Sequence, residues 1–177
     1  MKRSFVGLFS AVLAVSALSA PPSFAQQAVT AAAPVALGFD TMAAVSGPYV
    51  GSANPIRDIP GGGLPWIISS ATGQLHSDGQ LTVSVRGLVL APAEPVPGNL
   101  QGTNPAPTFH AVVSCQSVDD SGAPRLASVR TADASASPSG DADISQTVTL
   151  PQPCVAPIVF VSGGAGVGSW FAATGIE

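Results

Sequence analysis

The chain has 177 residues, and only 9% of them are charged, against about 25% in a typical protein. Lys2 and Arg3 are the only basic residues before residue 26. The segment from residue 26 onward therefore has four arginines, no lysine and all ten acidic residues, which is a formal charge of −6. Nucleic-acid binding needs clustered cations to displace counterions from phosphates, so this composition argues against nucleic acids and anionic membrane surfaces as partners.

Residues 1–25 have the layout of a signal peptide. Two basic residues precede an apolar stretch, and Ser23 and Ala25 are the small residues at −3 and −1 of a cut after Ala25. The apolar stretch is about 14 residues long, shorter than the roughly 20 residues that span a bilayer. We therefore predict a cleaved signal, a chain that starts at Gln26, and no stable membrane anchor. The predicted location is secreted or extracellular, or periplasmic if the source has an outer membrane.

The remainder divides at about residue 56. Residues 26–55 are rich in Ala, Val and Gly without a clean period, and we predict a loosely ordered lead-in. Residues 56–177 are predicted to form a single domain, because their number fits the usual domain size. From residue 56 onward, short apolar or alternating runs are bounded by Gly, Pro, Asn and Asp, which is typical of strands.

The first half of this domain contains three predicted strands. A short strand is predicted at residues 56–59, and a longer one at residues 66–76. Asp78-Gly79 then predicts a tight hairpin turn, since this pair supplies positive φ. Residues 81–90 have the clearest strand pattern.

In the strand at 81–90, Leu81, Val83 and Val85 alternate with polar residues, so this face is predicted to be core. Gly87 interrupts the pattern, which suggests a bulge there or burial of the following residues on both sides.

The second half begins with a long connection at residues 91–107, which contain five prolines. Further strands are predicted, in order, at residues 109–115, 126–131, 144–150, 155–161 and 170–174, with a glycine-rich hairpin loop at 163–169. No segment after the signal has a helical period. We therefore predict an all-β fold, an antiparallel β-sandwich of the immunoglobulin-like or Greek-key kind, with a small barrel as the alternative.

Cys115 and Cys154 are the only cysteines. An even count in an exported chain predicts a disulfide. The alternative is a pair of buried free thiols, and the spacing lacks the Cys-x-x-Cys pattern of a redox pair.

The chain has few side chains that could form a metal site or a catalytic site. A copper or zinc site needs three or four converging ligands, and besides the cysteines the chain offers only His76, His110 and scattered acids. Asp141 and Asp143 alternate as in a calcium loop, and Asp119-Asp120 is a second acidic pair, but the other EF-hand ligands are missing. We predict no metal site, no cofactor and no catalytic residue. The acids are interpreted as solvated loop residues.

Three aromatic residues, Trp66, Trp170 and Phe171, form the candidate ligand surface. The alternative is that they are core residues, which is the commoner place for aromatic side chains in a sandwich.

Several segments together resemble a group of uncharacterised exported bacterial proteins, hypothetical secreted β-rich domains. The segments are residues 63–68, 85–90, 102–105, 113–115, 150–151 with Cys154, 156–161, 170–172 and 174–175. The resemblance covers about residues 56–175. It implies an extracellular domain common to that group, and it implies no activity or site.

Two classes of function remain open. The first is a non-catalytic structural or binding module with a protein or surface partner. The second is an enzyme or enzyme inhibitor whose site is not visible in the sequence, or a small-molecule carrier. A deep pocket with a perturbed His or Asp would favour an enzyme, whereas an exposed apolar patch would favour a binding surface.

Overall fold

The computed structural model describes residues 32–175, in which short antiparallel strands are joined by turns and loops. The strands are β1 (Val35–Phe39), β2 (Ala43–Ala44), β3 (Trp66–Ile67), β4 (Ser70–His76), β5 (Gln80–Arg86), β6 (Val89–Leu90), β7 (Thr108–Val118), β8 (Pro124–Arg130), β9 (Ala134–Ser135), β10 (Ala142–Thr147), β11 (Val155–Gly163) and β12 (Ser169–Ala173). A short 3-10 helix spans Gly47–Tyr49. The predicted signal peptide lies outside the described residues.

The strands form two sheets and a short ribbon. The first sheet has the order β1-β4-β5-β10. The second has the order β2-β12-β11-β7-β8, with β9 beside β7, and β3 pairs with β6 in the ribbon. Neither sheet closes on itself, so the predicted all-β sandwich is confirmed and the barrel alternative does not hold.

The core lies between the two sheets. Leu81, Val83 and Val85 of β5 are at most 2% exposed, which confirms the predicted facing of this strand. From the second sheet, Phe109 and Val159 are fully buried in the same cluster. Both sheets therefore contribute residues to one apolar layer, as two packed sheets require. The buried residues alternate in β5, whereas residues 109–115 of β7 are buried without a break.

The expectation of a loosely ordered segment before residue 56 is wrong for residues 35–50. β1 pairs with β4 and β2 pairs with β12, so this segment provides an edge strand to each sheet. Val45 is fully buried. β2 has only two residues, and the residues that alternate with the larger apolar ones in β1 are Ala and Gly rather than polar ones. Neither strand therefore shows an apolar–polar period in the sequence, and backbone pairing with longer strands orders them.

The predicted strand at residues 56–59 is a tight turn. Ile56 and Ile59 exchange two backbone hydrogen bonds, of 3.0 and 2.9 Å, around Arg57 and Asp58. Both central residues have positive φ, at 52° and 63°. The turn is therefore a two-residue loop of the kind usually built from Gly or Asn.

Two predicted continuous strands are each divided between sheets. Residues 66–76 split into β3 and β4, and residues 81–90 split into β5 and β6. Gly87 has a φ of +65°, and a Cβ there would lie 2.3 Å from the Ser69 hydroxyl oxygen, so only glycine fits this corner. β6 leaves the first sheet and pairs with β3, and Leu88, Val89 and Leu90 are all buried, so this stretch is covered on both faces.

Among residues 32–175, no helix has the length and apolar character needed to cross a bilayer.

Candidate functional site

Trp66 and Phe171 stack on each other at one end of the sandwich. Their ring centroids are 4.2 Å apart and the ring planes differ by 18°. The backbone of Val45 connects the two strands that carry them. The Val45 N–H donates to the Phe171 carbonyl (2.8 Å), and the Val45 carbonyl accepts from the Trp66 N–H (2.9 Å). The stack is therefore set by main-chain bonds as well as by ring contact.

Two glycines make room for the Phe171 ring. A Cβ on Gly163 would lie 2.7 Å from the Phe171 Cε2 atom, and a Cβ on Gly62 would lie 3.1 Å from its Cδ1 atom. Contacts below 3.0 Å do not occur without displacement. The aromatic ring can therefore lie flat against the backbone only because these positions lack side chains.

A shallow depression of about 320 Å³ opens beside the stacked pair, and apolar atoms form most of its surface. Its lining residues are Gly63, Leu64, Trp66, Leu90, Leu100, Pro105 and Phe171. Phe109 backs the pair from the core, with its ring centroid 5.8 Å from that of Phe171. The long connection at residues 91–107 thus supplies two residues of a surface that β3, β6 and β12 complete.

Of the three aromatic residues predicted as a ligand surface, the structure brings together only Trp66 and Phe171. Trp170 is adjacent to Phe171 in β12 and points to the other face of the sheet. There it is 2% exposed and packs against Tyr49 and Phe160. Trp170 is therefore a packing residue and does not line the depression.

Leu64, Leu90, Leu100 and Pro105 were not predicted as site residues. Leu64 lies two residues before Trp66, so its closeness to a predicted site residue was the one sequence signal for it. The long connection carries no such signal, because only the folded chain brings Leu100 next to Trp66.

A cluster of titratable side chains centres on His110, which is 1% exposed on β7. Its Nδ1 lies 3.3 Å from Asp133 Oδ1, and its Nε2 lies 3.2 Å from the Val167 carbonyl oxygen. Arg130 pairs with Asp133 and also donates to the Gly166 carbonyl (2.7 Å). The cluster thus fastens the glycine-rich β11–β12 loop, and both ring nitrogens of His110 are engaged.

Burial lowers the pKa of His110 below its usual value of 6.5, and the nearby Arg130 charge lowers it further. The Val167 carbonyl and Asp133 act in the opposite direction and are outweighed. The imidazole is therefore neutral at pH 7. A neutral ring has one N–H, so it can donate to only one of its two acceptors at a time.

The acids considered for calcium binding have other partners. Asp141 accepts hydrogen bonds from the Gly87 N–H (2.9 Å) and the Ser139 hydroxyl (2.9 Å), and these bonds lower its pKa. Asp143 accepts from the Ser84 hydroxyl (2.7 Å), which lowers its pKa, and pairs with Arg86 at 3.0 Å.

These two carboxylates fix the corner after β5 and the β5–β10 pair. Between residues 32 and 175 no group of three or more His, Cys, Asp or Glu side chains is arranged to hold a metal ion.

The remaining predicted residues have structural positions. Cys115 and Cys154 form a disulfide, which confirms the predicted pair. This bond indicates a non-cytoplasmic environment, since cytosolic proteins rarely keep one. His76 lies with its Nδ1 2.8 Å from the carbonyl oxygen of Ala33, two residues before β1 begins.

No protein-family model, curated protein sequence or solved structure matches this chain.

Proposed function

We propose that this protein is an exported, non-catalytic binding module whose ligand site is the depression beside Trp66 and Phe171. The observation that carries the proposal is the apolar depression lined by the stacked pair, of which Phe171 is half-buried and Trp66 is 5% exposed. Its volume of about 320 Å³ lies at the lower end of the range for small-molecule sites. The ligand we propose is a small apolar molecule, because polar lining groups are scarce.

The titratable groups support a non-catalytic role. A catalytic histidine needs a ring nitrogen within reach of substrate. His110 is buried and has an acceptor at each nitrogen. Asp141 and Asp143 are used in hydrogen bonds that fix the backbone. The enzyme hypothesis is therefore the weaker of the two.

Secretion is part of the proposal. The signal-like residues 1–25, the disulfide and the resemblance to exported bacterial proteins support it. N-terminal sequencing of protein collected outside the cytoplasm is expected to begin at Gln26. A product that begins at Met1 would contradict the cleavage.

Amide chemical-shift mapping with toluene as the probe tests the binding site. Toluene is expected to shift resonances of residues around Trp66 and Leu100 in a saturable manner. Leu100→Asp places a charge in the depression and is expected to remove that response. Val155 is 52% exposed and lies outside the depression, so Val155→Asp is expected to leave the response to toluene unchanged. Equal responses in both variants would contradict the proposal.

A further inference from the structure

A second depression, of about 390 Å³, lies at the β7–β8 end of the second sheet. Its lining residues are Gln116, Ser117, Pro124, Arg125 and Leu126. It has no lining residue in common with the aromatic depression.

Two of the lining residues carry polar groups without a protein partner. Ser117 is 6% exposed, and its buried hydroxyl has no hydrogen-bond partner among residues 32–175. Arg125 is exposed, and within the same residues its guanidinium forms no hydrogen bond and no ion pair. Ser117 and Arg125 are directly paired across β7 and β8, so their side chains lie on the same face of the sheet. A guanidinium can bind a carboxylate through two parallel hydrogen bonds, and a hydroxyl can donate a third.

The nearby acid does not occupy Arg125. Asp119 is close enough for the arginine to contribute to lowering its pKa. Its Oδ1 atom, however, already accepts from the Ser121 N–H, the Ser121 hydroxyl and the Ala123 N–H, at 2.9, 2.6 and 3.0 Å. Asp119 is therefore held by its own turn through Oδ1, and it forms no ion pair with Arg125.

The open edge of β8 continues from this depression. The Thr131 N–H donates to the Ala111 carbonyl (2.9 Å), which marks these residues as a hydrogen-bonded pair of the β7–β8 ladder. Because such pairs alternate in antiparallel strands, the N–H groups of Leu126, Ser128 and Arg130 point away from β7. The register has no bulge.

β8 is also short of the devices that usually protect an edge. It carries no lysine and no acid, and its proline is at the first position. Arg130 at one end of the strand pairs with Asp133, whereas Arg125 near the other end has no ion-pair partner among the described residues and leaves a positive charge there. An extended segment with a carboxylate would complement both the main-chain groups and the charge.

We propose that this depression binds a carboxylate side chain of an extended acidic polypeptide, whose backbone pairs with the open edge of β8. Arg125 and Ser117 hold the carboxylate, and the N–H and carbonyl groups of Leu126 and Ser128 bind the peptide backbone.

The probes are two acetylated, amidated hexapeptides of alternating Thr and Val that differ at one position, Asp in one and Asn in the other. In amide chemical-shift titrations, the Asp peptide is expected to bind about tenfold or more tightly than the Asn peptide, since hydrogen bonds to a charged acceptor are stronger than those to a neutral amide. The shifts are expected between residues 116 and 128.

Three variants separate the contributions. Arg125→Gln is expected to abolish the preference for Asp, and Arg86→Gln, on the other sheet, to preserve it. Ser128→Pro removes an outward N–H without breaking the ladder, so it is expected to weaken both peptides. An unchanged melting temperature of Arg125→Gln confirms that the fold is intact. Equal affinity for the two peptides, an undiminished preference in Arg125→Gln, or no shift at residues 116–128 would overturn the proposal.

Discussion

Trp66 and Phe171 stack with their ring centroids 4.2 Å apart although they lie on strands of different sheets. A stacked aromatic pair contributes about 0.5–1.5 kcal/mol beyond the area that it buries. The pair also joins the β3–β6 ribbon to the second sheet. The same contact therefore serves the stability of the fold and the shape of the proposed ligand site.

The packing of Phe171 predicts the effect of two glycine substitutions. Gly163→Ala places a Cβ 2.7 Å from the Phe171 ring, so we expect the free energy of unfolding to fall by about 1–3 kcal/mol. Gly63→Ala meets no atom within 4 Å and is expected to change it by less than about 0.5 kcal/mol. Urea denaturation measures both. Equal effects would show that the ring is free to move away.

Neighbouring residues of β5 face opposite sides of the sheet, so substitutions at Val83 and Ser84 are expected to differ in their effect on stability. Val83 is 2% exposed in the core, so Val83→Ala is expected to destabilise the protein by roughly 1–3 kcal/mol. Ser84 is on the opposite face, where its hydroxyl donates to exposed Asp143, and Ser84→Ala is expected to alter stability by less than about 0.5 kcal/mol. Chemical denaturation of the two variants tests this. A larger loss from Ser84→Ala would mean that the strand is inverted.

The disulfide joins residues 39 positions apart. A cross-link that closes a loop of this length stabilises the protein by roughly 4 kcal/mol in the chain-entropy model. We expect the double variant Cys115→Ala/Cys154→Ala to lose about 2–4 kcal/mol. Titration of denatured, unreduced protein should find no free thiol. Two reactive thiols, or an unchanged melting temperature in the double variant, would contradict this assignment.

The lowered pKa of His110 predicts a loss of stability in mild acid. In the unfolded chain His110 binds a proton near pH 6.5, whereas in the folded chain His110 does so only at lower pH. The unfolded state therefore holds more protons in the window below pH 6.5, and stability falls as pH decreases through it.

Urea denaturation between pH 7.5 and 5 measures the slope of stability with pH. His110→Gln is expected to flatten this slope relative to the native protein, whatever its effect on stability at pH 7.5. His76→Gln is the matched control. A native protein with no loss of stability over this range would contradict the prediction.

The sequence predicted the sandwich and most of its strands because alternation and turn residues are local signals. β5 with the Asp78-Gly79 turn is an example. The split of residues 81–90 between two sheets was not predictable, since Gly87 signals an irregularity but not the partner of the next strand. β1 and β2 were missed because their order comes from pairing with β4 and β12.

Only part of the candidate site could be predicted, because residue type is a local signal and the packing of distant segments is not. Trp66 and Phe171 were identified by residue type, but Trp170 was grouped with them although adjacent residues in a strand face opposite ways. The contribution of Leu100 depends on how the proline-rich connection returns to β3, which no local pattern encodes. Ser117 and Arg125 were missed because neither belongs to a motif.

The proposed ligand site is tested most directly by the fluorescence of its own tryptophan. The chain has two tryptophans, so Trp170→Phe leaves Trp66 as the single reporter, and Trp66→Phe leaves Trp170. Bromobenzene quenches tryptophan on contact and serves as an apolar probe. We expect saturable quenching of Trp66 and only weak, linear quenching of Trp170. Linear quenching of equal strength in the two variants would contradict an apolar ligand site at the depression.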